Sequence, residues 1–204
     1  MHDPAYFVGG KTIVGGLLGG WIAVEITKRI RGIHSRTGDL FAVPLCIGIA
    51  VGRIGCLLAG LADDTYGTPT SLPWAINFGD GIPRHPTQLY EILFLLALIP
   101  FLYRVLNKIV ILSGASASRS EADAQSKDLV PAFATTALAG SSLLPGDAFK
   151  FFMVAYLSFR LLCDFLKPYP RIFLGLGGIQ WACVLLLLYY SRDVLRWLRP
   201  SHSR

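Results

Sequence analysis

An all-α integral membrane protein, with about five transmembrane helices in one bundle and a polar site facing the outer leaflet, is the fold class this sequence predicts. Three observations carry that expectation. The 204 residues are 53% hydrophobic and only 16% charged, whereas soluble domains carry about a quarter charged residues. The apolar residues gather into stretches near 5–28, 39–61, 88–106, 147–166 and 172–191, each close to the roughly 20 residues that a membrane-crossing helix needs. Basic residues, finally, concentrate in alternate connections between those stretches.

The first stretch holds Gly15, Gly16, Gly19 and Gly20, a small-xxx-small spacing that lets a neighbouring helix approach closely. The same stretch contains Ala5-x4-Gly10-Lys11-Thr12. A phosphate loop of that form needs a preceding strand and a nucleotide fold, and with four residues before it and apolar flanks it is set aside. The amino end has no basic region of the kind that precedes a cleavable signal, so none is expected. The second, third, fourth and fifth stretches are ordinary apolar runs interrupted by a few charges. Between the third and fourth, residues 113–128 are Ser/Ala-rich and polar, and 129–145 are broken by Pro131, Gly140 and Pro145. Residues 107–146 are therefore expected to form a cytoplasmic loop or linker within a single membrane domain, 1–204.

The net charge of +6 is distributed by topology and does not point to nucleic acid. Lys28, Arg29, Arg31 and Arg36 fall in the first connection; Arg104, Lys108, Arg119, Lys127 and Lys150 in or beside the third; Arg192, Arg196, Arg199 and Arg204 in the tail. The positive-inside rule places these in the cytoplasm. The amino terminus and the connections around 62–87 and 167–171 then face outward. Cys46, Cys56, Cys163 and Cys183 lie in apolar stretches without metal-like spacing, so no metal, cofactor or disulfide framework is expected.

Depth brings the remaining polar residues together. Arg53 lies two-thirds along a helix running outward, Arg160 is placed similarly, and Asp164 shares its face at i+4. Lys11 lies in the outer half of the first helix, Glu91 begins the third, and Arg84 and His85 precede it in the loop. Snorkelling to water suits Lys11, Arg84, Lys167 and Arg171. It suits Arg53 and Arg160 less, because a central arginine costs about 2.5–3.5 kcal/mol on insertion scales unless paired or solvated. Two readings stay open: a structural ion pair between Arg160 and Asp164, or a phosphate clamp by the two arginines, since forked guanidiniums match phosphate bidentately. Gly52 and Gly55 would let a ligand come close to the backbone beside Arg53.

Val51-Gly52-Arg53-Ile54-Gly55, Pro83-Arg84-His85-Pro86-Thr87-Gln88-Leu89-Tyr90-Glu91 and Phe159-Arg160-x3-Asp164-Phe165 together resemble the prolipoprotein diacylglyceryl transferase family. Gly15-Gly16-Leu17-Leu18-Gly19 and Gly178-Ile179-Gln180 fit the same order. The resemblance implies a bacterial inner-membrane enzyme, multi-pass, with its amino terminus outside and carboxyl terminus in the cytoplasm. It implies transfer of the diacylglyceryl group of phosphatidylglycerol to the lipobox cysteine of a prolipoprotein signal peptide, releasing glycerol phosphate. Carried onto this chain, Arg53 and Arg160 would hold the phosphate and Asp164 would orient Arg160. Arg84, Gln88 and Glu91 would position head group or loop, and His85 would bond the loop or act on the substrate. Three departures stand beside the resemblance. Val14 occupies the place of the family's histidine before the paired glycines, so Lys11 or His85 would have to replace it as base. Cys56 stands for asparagine and Leu61 for an acid, with Asp63 and Asp64 just after. Two amino-terminal spans of the family are missing. Two alternatives therefore accompany the transferase: a non-catalytic phospholipid-binding or regulatory relative, and a lipid transferase with another acceptor.

Overall fold

The computed structural model describes residues 12–33, 36–125, 143–168 and 174–198. Five α-helices lie within them: α1, Ile13–Ile30; α2, Asp39–Ala59; α3, Thr87–Gln125; α4, Asp147–Cys163; and α5, Gly178–Leu198. A two-residue hairpin, β1 Ile76–Asn77 paired antiparallel with β2 Pro83–Arg84, decorates the loop between α2 and α3.

Local chemistry explains the boundaries. Thr12 caps α1 by accepting the Gly15 N–H at 3.0 Å, and Lys28 and Arg29 sit in its last turn, where the helix dipole favours cations. The helix thus begins at Ile13, inside the expected 5–28 stretch, whose first residues lie outside the described ones. Gly60, at φ +62°, ends α2. At the start of α5 the Gln180 side chain accepts the Gly177 N–H at 2.8 Å. That helix covers the later part of the expected 172–191 stretch and runs on to Leu198, because the glycines at 175, 177 and 178 defer its start. The third helix differs most: it continues from Thr87 through Gln125, where a loop was expected from residue 107. The Ser- and Ala-rich continuation has a single glycine and no proline after Pro100, and alanine sustains a helix once it has begun.

Two segments, Asp39–Asp63 and Thr87–Ile111, are long and apolar enough to cross a membrane, with mean hydropathies of 2.1 and 1.9. Against both of them packs α4, with α5 on α4 and α1 on α5. One core draws on every helix: Val14 from α1, Cys46 and Ala50 from α2, Leu95 and Leu102 from α3, Phe152 and Tyr156 from α4, Cys183 and Leu186 from α5. Outside that core the polarity is inverted. Leu40, Val51, Leu58, Leu93, Val110, Leu162 and Leu188 are exposed, whereas Arg53, Gln88, Glu91, Asp147, Arg160 and Asp164 are buried. A protein surrounded by water keeps its charges outside.

Candidate active site

The centre of the site is Glu91, in the first turns of α3 and 1% exposed. Its Oε2 lies 2.8 Å from Nε of Arg53 on α2 and 3.3 Å from a terminal nitrogen of Arg160 on α4. Its Oε1 accepts the hydroxyl of Tyr156, one turn before Arg160, at 2.6 Å. Arg160 also reaches Asp164 at 3.6 Å. Three helices therefore meet on one carboxylate. A buried charge survives only when paired and hydrogen-bonded, and here each charge supports the next.

The loop of 60–86 is folded tightly over this cluster. Asn77 Oδ1 accepts both Gly79 N–H (2.9 Å) and Gly81 N–H (3.0 Å), closing the hairpin turn. The Gly67 N–H donates to the His85 carbonyl at 2.9 Å, and the Thr68 N–H to the Leu166 carbonyl at 2.7 Å. Gly67 has to be glycine, since a Cβ there would lie 2.6 Å from that of His85. Below the loop a polar chain runs inward. Thr65 donates its hydroxyl to Asp63, Gln88 donates to Thr65 Oγ1 at 3.2 Å, and Thr87 donates to the Thr65 carbonyl at 2.6 Å.

A cavity of about 660 Å³ opens beside the cluster, lined among others by Gly52, Arg53, Cys56, Asp63, Thr65 and Arg160. Arg53 donates from its other branch to Cys56 Sγ at 3.7 Å. Two guanidiniums thus face one cavity, and each carries five N–H donors, more than Glu91, Asp164 and Cys56 consume. The arrangement can receive an anion with two or three oxygens.

The sequence-derived site residues divide in two. Arg53, Glu91, Arg160 and Asp164 come together as one cluster; Gln88 bonds to Thr65, which like Gly52 lines the adjoining cavity. A Cβ at Gly52 or Gly55 would meet nothing within 4 Å, and Gly55 is exposed on α2. Arg84 instead pairs with Asp80 at 2.6 Å and stacks 4.9 Å from the Tyr66 ring centroid. That pairing, with the Arg84 hydrogen bond first, holds the Asp80 carboxyl below its usual range. His85 meets the Tyr90 hydroxyl at 3.2 Å, and Trp74 donates to the same hydroxyl at 2.8 Å. Both residues brace the loop. Lys11 lies outside the described residues. Lys167 departs from the snorkelling expectation, being 4% exposed. Tyr156, Thr65 and Lys167 were missed as site residues. Tyr156 had a signal, its i−4 spacing from Arg160, but a tyrosine in an apolar run reads first as core.

These features define a helical protein whose paired buried arginines, oriented by one glutamate, open on a cavity between its helices. The family model for prolipoprotein diacylglyceryl transferase matches residues 4–118, and the chain belongs to that family. It is similar to a protein named phosphatidylglycerol–prolipoprotein diacylglyceryl transferase from Polynucleobacter necessarius, 29% identical over 189 residues, covering 89% of this chain and 58% of the relative. Proteins of the same name from Cupriavidus metallidurans, 41% identical over 106 residues (45% of this chain, 38% of the relative), and Pasteurella multocida, 40% over 99 residues (45% and 35%), are also similar. The chain spans little more than half the length of the first of these relatives and less of the others. No solved structure matches.

Proposed function

We propose that this protein transfers the diacylglyceryl group of phosphatidylglycerol to the lipobox cysteine thiol of a prolipoprotein, releasing glycerol phosphate. The observation that carries the reading is the pair Arg53 and Arg160, buried on facing helices, tied to Glu91 at 2.8 and 3.3 Å and lining one cavity. In the reaction the sulfur attacks a glyceryl carbon as the phosphate ester leaves, so charge develops on the phosphate oxygens. Preoriented arginines are the groups that stabilise such charge. Glu91 and Tyr156 hold the guanidiniums in place beforehand, and Asp164 steadies the second of them. Thr65 and Asp63 line the adjoining polar wall, with Gln88 bonded to Thr65.

The inverted polarity of the surface supports a bundle of about five spans in a bacterial inner membrane. The positive-inside distribution supports an outward amino terminus, a cytoplasmic carboxyl terminus and a site in the outer leaflet, where the glycerophospholipid head group lies at cluster depth.

One observation favours a second reading. Val14 is 2% exposed among apolar side chains and brings no titratable group to the site. A relative that binds phospholipid without turning it over, or that uses another acceptor, would share the arginine pair. Purified protein given labelled phosphatidylglycerol and a lipobox-cysteine peptide separates these. Thioether product that disappears in Arg53→Ala establishes the transferase. Glycerol phosphate release without peptide product indicates another acceptor. Lipid binding with no release indicates a binder.

A further inference from the structure

Away from the Glu91 cluster the bundle has a second opening, which the transferase reading does not use. A groove of about 780 Å³ runs along α1, walled by Gly16, Gly20 and Trp21 of that helix, Phe41 of α2 and Phe149 of α4. Tyr189 and Tyr190 of α5 line it as well. The Trp21 ring centroid lies 5.4 Å from that of Tyr189, which lies 5.0 Å from that of Tyr190. A Cβ at Gly16 or Gly20 would meet nothing within 4 Å. Their small-xxx-small spacing therefore opens a channel and does not seat another helix of the described chain.

Cations gather at one mouth of this groove. Lys28, Arg29, Arg36 and Lys150 line it, with Glu25 the one acid among the described lining residues. Lys28 pairs with Glu25 at 3.1 Å and Lys150 with Asp193 at 2.6 Å. Asp39 is engaged by the Gly146 and Phe149 N–H groups. Arg29 and Arg36 form no ion pair among the described residues. Arg36 is nonetheless held in place, since its guanidinium donates to the Pro145 carbonyl at 3.1 Å. Its chain also lies against Gly146 (φ +95°), where a Cβ would sit 3.2 Å from Arg36 Cδ. Two positive charges thus stand without a counter-ion at the rim of an apolar groove.

We propose that this groove holds an anionic glycerophospholipid of the cytoplasmic leaflet, its phosphate on Arg29 and Arg36 and an acyl chain along Gly20 and Gly16. The length fits. From Lys28 back to Gly16 the helix rises about 18 Å, and one leaflet of hydrocarbon is about 15 Å deep. The depth fits too, because the positive-inside rule puts the 28–36 connection in the cytoplasm. Basic pockets between spanning helices on that side take anionic head groups, and Trp and Tyr rings favour the boundary between head group and chain. A docked helix would fill the glycine stripe but leave both guanidiniums unneutralised; a lipid supplies chain and charge in one molecule. Its phosphate, shared between Arg29 on α1 and Arg36 before α2, ties the two helices across the gap. The inference rests on the membrane orientation proposed above and not on the transfer reaction. This lipid is not the substrate, since its head group lies at the opposite face of the membrane from Arg53 and Arg160.

The test places the full chain in phosphatidylcholine nanodiscs doped with brominated phosphatidylglycerol or, in parallel, brominated phosphatidylcholine. Quenching of tryptophan fluorescence is read, and the Trp21 component is the part lost in Trp21→Phe. Phosphatidylglycerol should be preferred about 25-fold at Trp21, about fivefold for each arginine. Arg36→Gln should lose about fivefold of that preference, and Arg29→Gln with Arg36→Gln all of it. Arg29→Lys with Arg36→Lys should keep it within about threefold. Gly20→Leu, which fills the groove with its charges intact, should remove the preference, whereas Arg53→Ala at the substrate site should leave it unchanged. Equal quenching by the two lipids, or a preference that survives the double glutamine variant, would overturn the proposal. So would a dimer that Gly20→Leu splits into monomers, which would give the groove to a second copy. If the double variant does not insert, Arg36→Gln and Gly20→Leu decide. A wild-type chain that stays out of the nanodisc removes the membrane reading, and the proposal with it.

Discussion

At the loop end of the bundle one carboxylate serves two guanidiniums; at the opposite end each carboxylate is served by several donors. There Asp147, fully buried, accepts Arg196 at 2.6 Å, Trp197 Nε1 at 3.2 Å and the Leu144 N–H at 2.9 Å. Asp39 accepts the Gly146 N–H at 2.6 Å and the Phe149 N–H at 3.1 Å, and Asp193 takes Lys150 at 2.6 Å and Arg196 at 3.0 Å. The difference is one of surplus. The Asp147 end has its acceptors filled and stitches α2, α4 and α5 together. The Glu91 end has guanidinium donors in excess of acceptors, turned toward a cavity. Filled carboxylates hold helices together, whereas spare guanidinium N–H groups on a cavity can take a ligand.

Substitutions at the two ends should therefore fail differently. Arg160→Ala leaves Glu91 held by Arg53 and Tyr156 but strips buried Asp164 of its partner, so melting should fall while transfer per folded molecule drops about 10³-fold. A transfer rate within tenfold of wild type would contradict the clamp. Asp147→Ala strands the Trp197 and Leu144 N–H groups and uncouples Arg196, a loss of about 3 kcal/mol. It should lower the melting temperature clearly, yet leave turnover per folded molecule unchanged. If Asp147→Ala instead abolished turnover in folded protein, the division between the ends would not hold.

Much of the loop-end site was legible in the sequence, because charge inside an apolar stretch is conspicuous and costs free energy unless matched. Arg53, Glu91, Arg160 and Asp164 stood out on that ground alone. What stayed hidden was which charge pairs with which. Spacing at i+4 assigns Asp164 to Arg160, but no spacing rule links Glu91 to helices 38 and 69 residues away in the chain. Lys167 looked like a snorkelling residue because its burial depends on the 60–86 loop folding back across Leu166, a tertiary fact. The Asp147 network was invisible for a related reason: a carboxylate at a helix start beside a basic tail reads as ordinary capping and topology. The long α3 was missed because Ser- and Ala-rich polar sequence serves linkers and helices equally until a helix is there to extend.

Two further substitutions sharpen the contrast within the loop end. Val14→His places an imidazole where the family's histidine is expected, but Val14 is enclosed in the apolar core. The expected result is no gain in transfer and a stability loss of about 2 kcal/mol from burying an unpaired polar group. A tenfold gain would show that the missing imidazole limits the reaction. Gly52→Leu acts on the cavity alone, since nothing lies within 4 Å of a Cβ there. Melting should be unchanged and KM for phosphatidylglycerol should rise about tenfold, with a smaller effect on kcat.

The smallest effect belongs to a charge pair at the same end that lies outside the cluster. Asp80 and Arg84 meet at 2.6 Å on the hairpin, in a loop whose shape is already fixed by backbone bonds from Gly67, Thr68 and His85. Because Asp80 ionises below its unfolded value, its contribution is present at neutral pH and is lost only as acid protonates it in the folded state. Exposed pairs of this kind are screened by water and salt. Asp80→Asn should therefore change turnover by less than about twofold at neutral pH, in low and high salt alike. A large loss would mean that Arg84, freed from Asp80, had been holding the lipid head group, and the site would then extend from the buried cluster up into the hairpin.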